Sequence, residues 1–122
     1  MDNTKTRGDA AETRALVWLQ ARGLVLVQRN YRVARGPSAR GGEIDLIMRE
    51  PDGTLVFVEV RQRSSRSHGG AAASVSGAKQ QRLVRAAQHY LLRFVEPPPC
   101  RFDVVAVDDP DAFEWLRAAF DA

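Results

Sequence analysis

Two acids stand where acids are rare. Asp45 lies inside Ile44-Asp45-Leu46-Ile47, and Glu59 inside Val56-Phe57-Val58-Glu59-Val60. A carboxylate among aliphatic neighbours is costly unless it is paired or ligating. Between the two runs, Pro51-Asp52-Gly53 reads as a three-residue hairpin turn, with Pro at the first central position and Gly in a left-handed slot. That loop sets residue 50 opposite residue 54 and therefore Asp45 opposite Glu59, flanked by Glu43 and Arg61. Ile47 then faces Phe57, while the other sheet face pairs Ile44 with Val60, Leu46 with Val58 and Met48 with Val56. A two-residue turn would set Leu46 against Glu59 and mix charge into the buried face, which strand register avoids. Carboxylates brought within about 5 Å of one another repel unless a proton or cation intervenes. Mg²⁺ or Mn²⁺ is the natural guest. Such an ion could polarise a phosphodiester, activate water and orient in-line attack. The spacing also leaves open a solvent-facing charged pair at a sheet edge, satisfied by Arg61 and its basic neighbours.

The elements that must position this pair follow from periodicity. Ala11, Ala15, Leu16, Trp18 and Leu19 recur at helical spacing over about 9–22, and Glu12 projects along the same stripe. Gly23 is a natural stop, and Leu24–Val27 reads as a strand. Strands over 43–49 and 54–61 form the hairpin. The Ser/Gly/Ala/Arg-rich stretch 62–77 reads as a loop, after which Ser76 caps a helix over about 77–93. Its apolar stripe comprises Leu83, Ala87, Tyr90, Leu91 and Phe94. Pro97-Pro98-Pro99 ends it, and Phe102–Val107 is a further strand, placed parallel to 54–61 by the helical crossover. Phe113–Phe120 fits either a short helix or an edge strand. The order is αβββαβ, an α/β mixed sheet with helices packed against it.

The chain has 122 residues, 44% apolar and 27% charged, which suits one soluble domain over 1–122. Its net charge of +3 conceals three unlike stretches. Residues 1–60 carry 9 basic and 8 acidic side chains, 61–101 carry 8 basic against Glu96 alone, and 102–122 carry Arg117 against 6 acids. A basic middle suggests an anionic partner, nucleic acid first, with a solvated face as the alternative. Cys100 is the sole cysteine, which excludes an internal disulfide and a cysteine-based zinc cluster. Neither a signal peptide nor a membrane-length apolar run is legible, so the expected compartment is cytoplasmic, with no membrane partner.

Several segments follow one another in an informative order. They are Gly8-Asp9-Ala10-Ala11-Glu12, Arg29-Asn30-Tyr31, Gly42-Glu43-Ile44-Asp45-Leu46-Ile47, Val56-Phe57-Val58-Glu59-Val60-Arg61-Gln62-Arg63, Lys79 ahead of a helix, and Arg101-Phe102-Asp103-Val104-Val105. On these, over about residues 8–107, the chain resembles the YraN family of bacterial proteins. That family in turn resembles the restriction-endonuclease-like PD-(D/E)XK nuclease superfamily, archaeal Holliday-junction resolvases included. The resemblance implies a restriction-endonuclease-like αβββαβ core, with 108–122 as an acidic C-terminal segment. It also implies Asp45 and Glu59 as metal-holding acids, the Val60 carbonyl as a further ligand and Glu12 as the first-helix acid.

The departures are specific. The superfamily's motif lysine is Arg61 here, which can stabilise charge but keeps its proton at any workable pH. Lys79, the only lysine in the matched region, is the other candidate catalytic cation. The loop 32–42 also looks longer than the family's usual link. Arg63, Arg66, Arg82 and Arg85 are candidates to track a phosphate backbone, with Arg82 and Arg85 on one helix face. The leading expectation is a Mg²⁺- or Mn²⁺-dependent nuclease-like protein acting on DNA, structured or branched DNA included. The alternatives are a non-catalytic nucleic-acid-binding module on the same fold and a protein-interaction scaffold. A homodimer is left open.

Overall fold

The computed structural model describes residues 3–34, 41–63, 75–108 and 112–121, with the side chains of residues 3–8 and 63 outside the description. Helix α1 spans Asn3–Gln20, strand β1 Val25–Val33, β2 Gly42–Arg49 and β3 Leu55–Arg63. Helix α2 follows over Gly77–Leu91, then β4 over Cys100–Asp108 and β5 over Ala112–Phe120. The five strands form one sheet in the order β1-β2-β3-β4-β5. β3 and β4 run parallel and the remaining pairs antiparallel. This is an α/β fold whose mixed sheet is flanked by two helices, consistent with a restriction-endonuclease-like core.

Local chemistry sets the boundaries. α1 ends in a Schellman-type closure: Gly23 N–H donates to Gln20 C=O at 3.0 Å and Leu24 N–H to Leu19 C=O at 3.2 Å, with Gly23 at φ 98°. The hairpin turn is the expected one. Gly53 N–H donates to Glu50 C=O and Glu50 N–H to Thr54 C=O, each at 2.9 Å, and Gly53 takes φ 95°. The Ser76 hydroxyl accepts from Lys79 N–H at 3.2 Å and so caps α2. The ambiguous C-terminal segment is a strand, β5, at the sheet edge beyond β4.

Each helix covers one sheet face. The α1 side gathers Ala15, Leu19, Leu46, Met48, Val56, Val58, Val105 and Val107, while the α2 side gathers Leu83, Tyr90, Ile44, Ile47, Phe57, Phe102, Val104 and Ala106. Full burial of side chains of this size contributes roughly 1.5–3 kcal/mol each. Gly42 lies beneath α2, where an added Cβ would stand 2.5 Å from Arg82 C=O and 3.0 Å from Ala86 N.

One expectation about the faces is corrected. Strict alternation puts Ile44 beside Leu46 and Met48, yet Ile44 packs on the α2 side and the other two on the α1 side. β1 makes the same exchange. Arg29 reaches Glu12 and Thr13 of α1, whereas Tyr31 packs with the α2 cluster. Arg29 pairs with Leu46 and Tyr31 with Ile44, so both strands change faces at Asn30 and Asp45. Asn30 has φ 53°, a left-handed backbone within a strand, which turns β1 over, and β2 changes face at the position opposite it.

Candidate active site

The hairpin register agrees with the turn chemistry: Met48 faces Val56, Ile47 faces Phe57 and Leu46 faces Val58. The ladder stops there. Asp45 opposite Glu59, Ile44 opposite Val60 and Glu43 opposite Arg61 are not ladder pairs; beyond Leu46 the Asp45 side chain takes over, its Oδ2 accepting Val60 N–H at 2.8 Å. This carboxylate fills the gap left as β2 parts from β3, and it comes to rest against Glu59.

Glu59 is 2% exposed. Lys79 Nζ, from the first turn of α2, lies 3.1 Å from Glu59 Oε2, and an Arg61 terminal nitrogen lies 3.5 Å from the same oxygen. Both candidates for the motif lysine's role therefore converge on one carboxylate oxygen, with Lys79 the closer. Among the described residues, no cation pairs with Asp45 in this way. Burial first, and then the neighbouring Glu59 charge, push Asp45 up to about 8 against the pull of the Val60 N–H. Near neutral pH the pair therefore retains a proton, which relieves the repulsion between its two carboxylates.

Glu12 approaches from α1. Its Oε1 lies 3.6 Å from an Arg29 terminal nitrogen, and that buried oxygen has no hydrogen-bond partner. Burial raises the Glu12 carboxyl above its ordinary value, offset in part by Arg29. Its charge also adds to the upward pressure on Asp45. The core-facing placement expected of Glu12 and the acid pair expected of the hairpin thus meet in one place.

Among the described residues, no group of three or more His, Cys, Asp and Glu side chains is arranged to hold a metal ion by itself. The donor chemistry nevertheless fits a hard divalent cation. Asp45 and Glu59 offer adjacent carboxylate oxygens, Val60 a neighbouring carbonyl, and Glu12 an orphaned buried oxygen.

The remaining candidates are distributed differently. Arg82 donates to Glu43 Oε1 at 3.1 Å, and Arg85 Nε to Gly41 C=O at 3.3 Å. Both are anchored beside the β1–β2 connection, next to a cavity of about 380 Å³ lined by Arg32, Gly42, Glu43 and Arg82 among others. The Arg63 side chain and all of Arg66 lie outside the described residues. Arg29 and Asn30, which the sequence marks only as part of a motif, border the site at Glu12. An asparagine interrupting a strand-like stretch was the available signal.

A family model described as uncharacterised protein family UPF0102 matches residues 11–107. A UPF0102 protein of Methylibium petroleiphilum is 68% identical over 122 residues, covering 100% of this chain and 99% of its own. One from a Polaromonas strain is 62% identical over 98% of this chain and 83% of its own, and one from Cupriavidus taiwanensis 61% identical over 97% and 85%. No described helix is long and apolar enough to cross a membrane.

Proposed function

The chain belongs to the uncharacterised protein family UPF0102, and from that footing we propose that it is a metal-dependent, nuclease-like protein that hydrolyses phosphodiesters in DNA, structured or branched DNA included. The observation that carries this reading is the Asp45–Glu59 pair: two carboxylates held together at the end of a hairpin ladder, one with two cations and the other with one N–H. Asp45, Glu59 and the Val60 carbonyl would hold Mg²⁺ or Mn²⁺, with Glu12 adding its unpartnered oxygen. When bound, the ion supplies Lewis-acid polarisation of the phosphodiester and a lowered pKa for its water.

The chain's own residues do the rest. Lys79 and Arg61 place two positive charges beside Glu59, where a phosphate oxygen gaining charge would be stabilised. Arg61 stays protonated and acts by charge alone. Arg82 and Arg85 would extend the basic excess of residues 61–101 along a phosphate backbone, an excess to which the sequence adds Arg63 and Arg66.

A second reading, a nucleic-acid-binding module without cleavage, is favoured by one observation. Lys79 and Arg61 already neutralise Glu59, so the pair can persist with no metal. The deciding measurement is cleavage of linear, flapped and four-way DNA with Mg²⁺ or Mn²⁺, for the wild type and Asp45→Ala. The nuclease reading expects cleavage that needs metal and that the substitution lowers by about a hundredfold or more. Binding that survives Asp45→Ala with a steep salt dependence, and no cleavage by either protein, would establish the module instead.

A further inference from the structure

Three consecutive residues of β1 serve three different parts of the molecule. In a regular strand the side chains of residues 29 and 31 share a face. Here Arg29 bonds the Thr13 hydroxyl at 3.2 Å and stands 3.6 Å from Glu12 on α1. Tyr31 turns to α2 instead, its hydroxyl 2.5 Å from His89 Nδ1 and its ring edge-on to Tyr90 at 5.3 Å. Asn30 stands between them at φ 53°, at the position facing Asp45 in the register between Arg29–Leu46 and Tyr31–Ile44. Asp45 is where β2 makes the matching change of face, and from there its carboxylate swings to Val60 N–H.

We propose that Asn30 is a positioning residue of the acid site. Its left-handed backbone turns β1 over, delivers Arg29 to Glu12 and lets β2 turn Asp45 toward Glu59. The proposal rests on the reading of Glu12, Asp45 and Glu59 as one site. Asparagine suits the task because it is among the few side-chain-bearing residues that enter this backbone region readily. The Thr13 hydroxyl and Glu12 hold the end of the Arg29 guanidinium, while its Nε is buried without a partner, as is the Glu12 oxygen it faces. The backbone turn sets where these two groups meet, and the Asn30 side chain adds a hydrogen bond to Glu12.

Glycine keeps the left-handed backbone, while alanine resists it. The test compares full-length wild type, Asn30→Gly and Asn30→Ala by Mn²⁺ titration calorimetry, and by NMR contacts between the rings of Tyr31 and Tyr90. Asn30→Gly is expected to keep the ring contacts and a Mn²⁺ affinity within about twofold of wild type. Asn30→Ala, folded by circular dichroism, is expected to weaken the ring contacts and bind Mn²⁺ at least about fivefold more weakly. Wild-type affinity and intact ring contacts in Asn30→Ala overturn the proposal, as does Asn30→Gly binding as weakly as Asn30→Ala. If Asn30→Ala does not fold, the glycine variant decides alone. A wild type that binds no Mn²⁺ and cleaves no DNA counts against the metal site instead, and the ring contacts then still decide whether Asn30 sets the turn.

Discussion

Asp45 and Asp103 begin from the same predicament and end in opposite states. Each is an aspartate inside an apolar strand, Ile44-Asp45-Leu46 in β2 and Phe102-Asp103-Val104 in β4. Asp103 is 0% exposed and fully supplied. It accepts from Arg101 Nε at 3.0 Å, Trp115 Nε1 at 2.9 Å and Ala118 N–H at 2.9 Å. Arg101 in turn meets Glu50. Ala118 takes φ 49° at the register shift between β4 and β5, so this carboxylate fastens the edge strand at its irregular point. Asp45 accepts one N–H and faces another acid. A buried carboxylate surrounded by donors is a rivet. One left short of donors beside a second carboxylate is a vacancy for a cation or a proton.

That contrast can be broken by experiment. The largest expected effect on stability belongs to Asp103. Asp103→Ala strands Arg101 and the Trp115 N–H, and should cost about 3–5 kcal/mol in urea unfolding. A loss below about 1 kcal/mol would show that the rivet bears no weight.

Asp45 should behave in the reverse sense. Its carboxyl titrates near 3.8 in the unfolded chain and about 8 in the fold, so the native state holds the extra proton between those values. The metal-free protein is then most favoured below about pH 4 and loses stability as pH rises toward 8. Asp45→Asn should therefore raise stability at pH 9 by an amount on the order of 1–2 kcal/mol, and change it far less at pH 4. Thermal melts of both proteins across this range check the sign, and a destabilised Asp45→Asn at pH 9 would erase the distinction.

The smallest effect is a slope. Because a bound cation must displace the Asp45 proton, Mn²⁺ affinity should rise up to about tenfold per pH unit between pH 6 and 8. Asp103→Asn should leave that slope unchanged, and affinity independent of pH in the wild type would remove Asp45 from the ligand set.

The legible parts of this molecule were those fixed by local chemistry. Pro51-Asp52-Gly53 determined a turn and the turn a register as far as Leu46–Val58; beyond it the Asp45 side chain, held by Val60 N–H, closes on Glu59. Ser76 marked the start of α2, and with it the place from which Lys79 reaches Glu59. What escaped sequence reading was the change of face at Asn30 and Asp45. Unbroken strand periodicity puts Ile44 in the layer of Leu46 and Met48 and continues the ladder past Leu46, and the turn at Asn30 and Asp45 defeats both. The choice between helix and edge strand for β5 stayed open for a related reason. Phe113 and Trp115 pack on the α1 side and Leu116 and Phe120 on the α2 side in simple alternation, but Ala119, next to the left-handed Ala118, joins the α2 side out of turn. In both places a left-handed residue other than glycine interrupts a strand, and such a residue leaves only a faint mark in composition.

Gly42 gives the helix–sheet spacing a mechanical meaning. Hydrogen is the thinnest washer a polypeptide can place between two elements, and α2 is seated on it at Arg82 and Ala86. Lys79 rides one turn further toward the start of the same rod. A methyl group at position 42 would work as a shim under a lever, lifting the rod where it rests and withdrawing the ammonium from Glu59 at its end. The reach of Lys79 is thus calibrated by a residue that has no side chain to contribute.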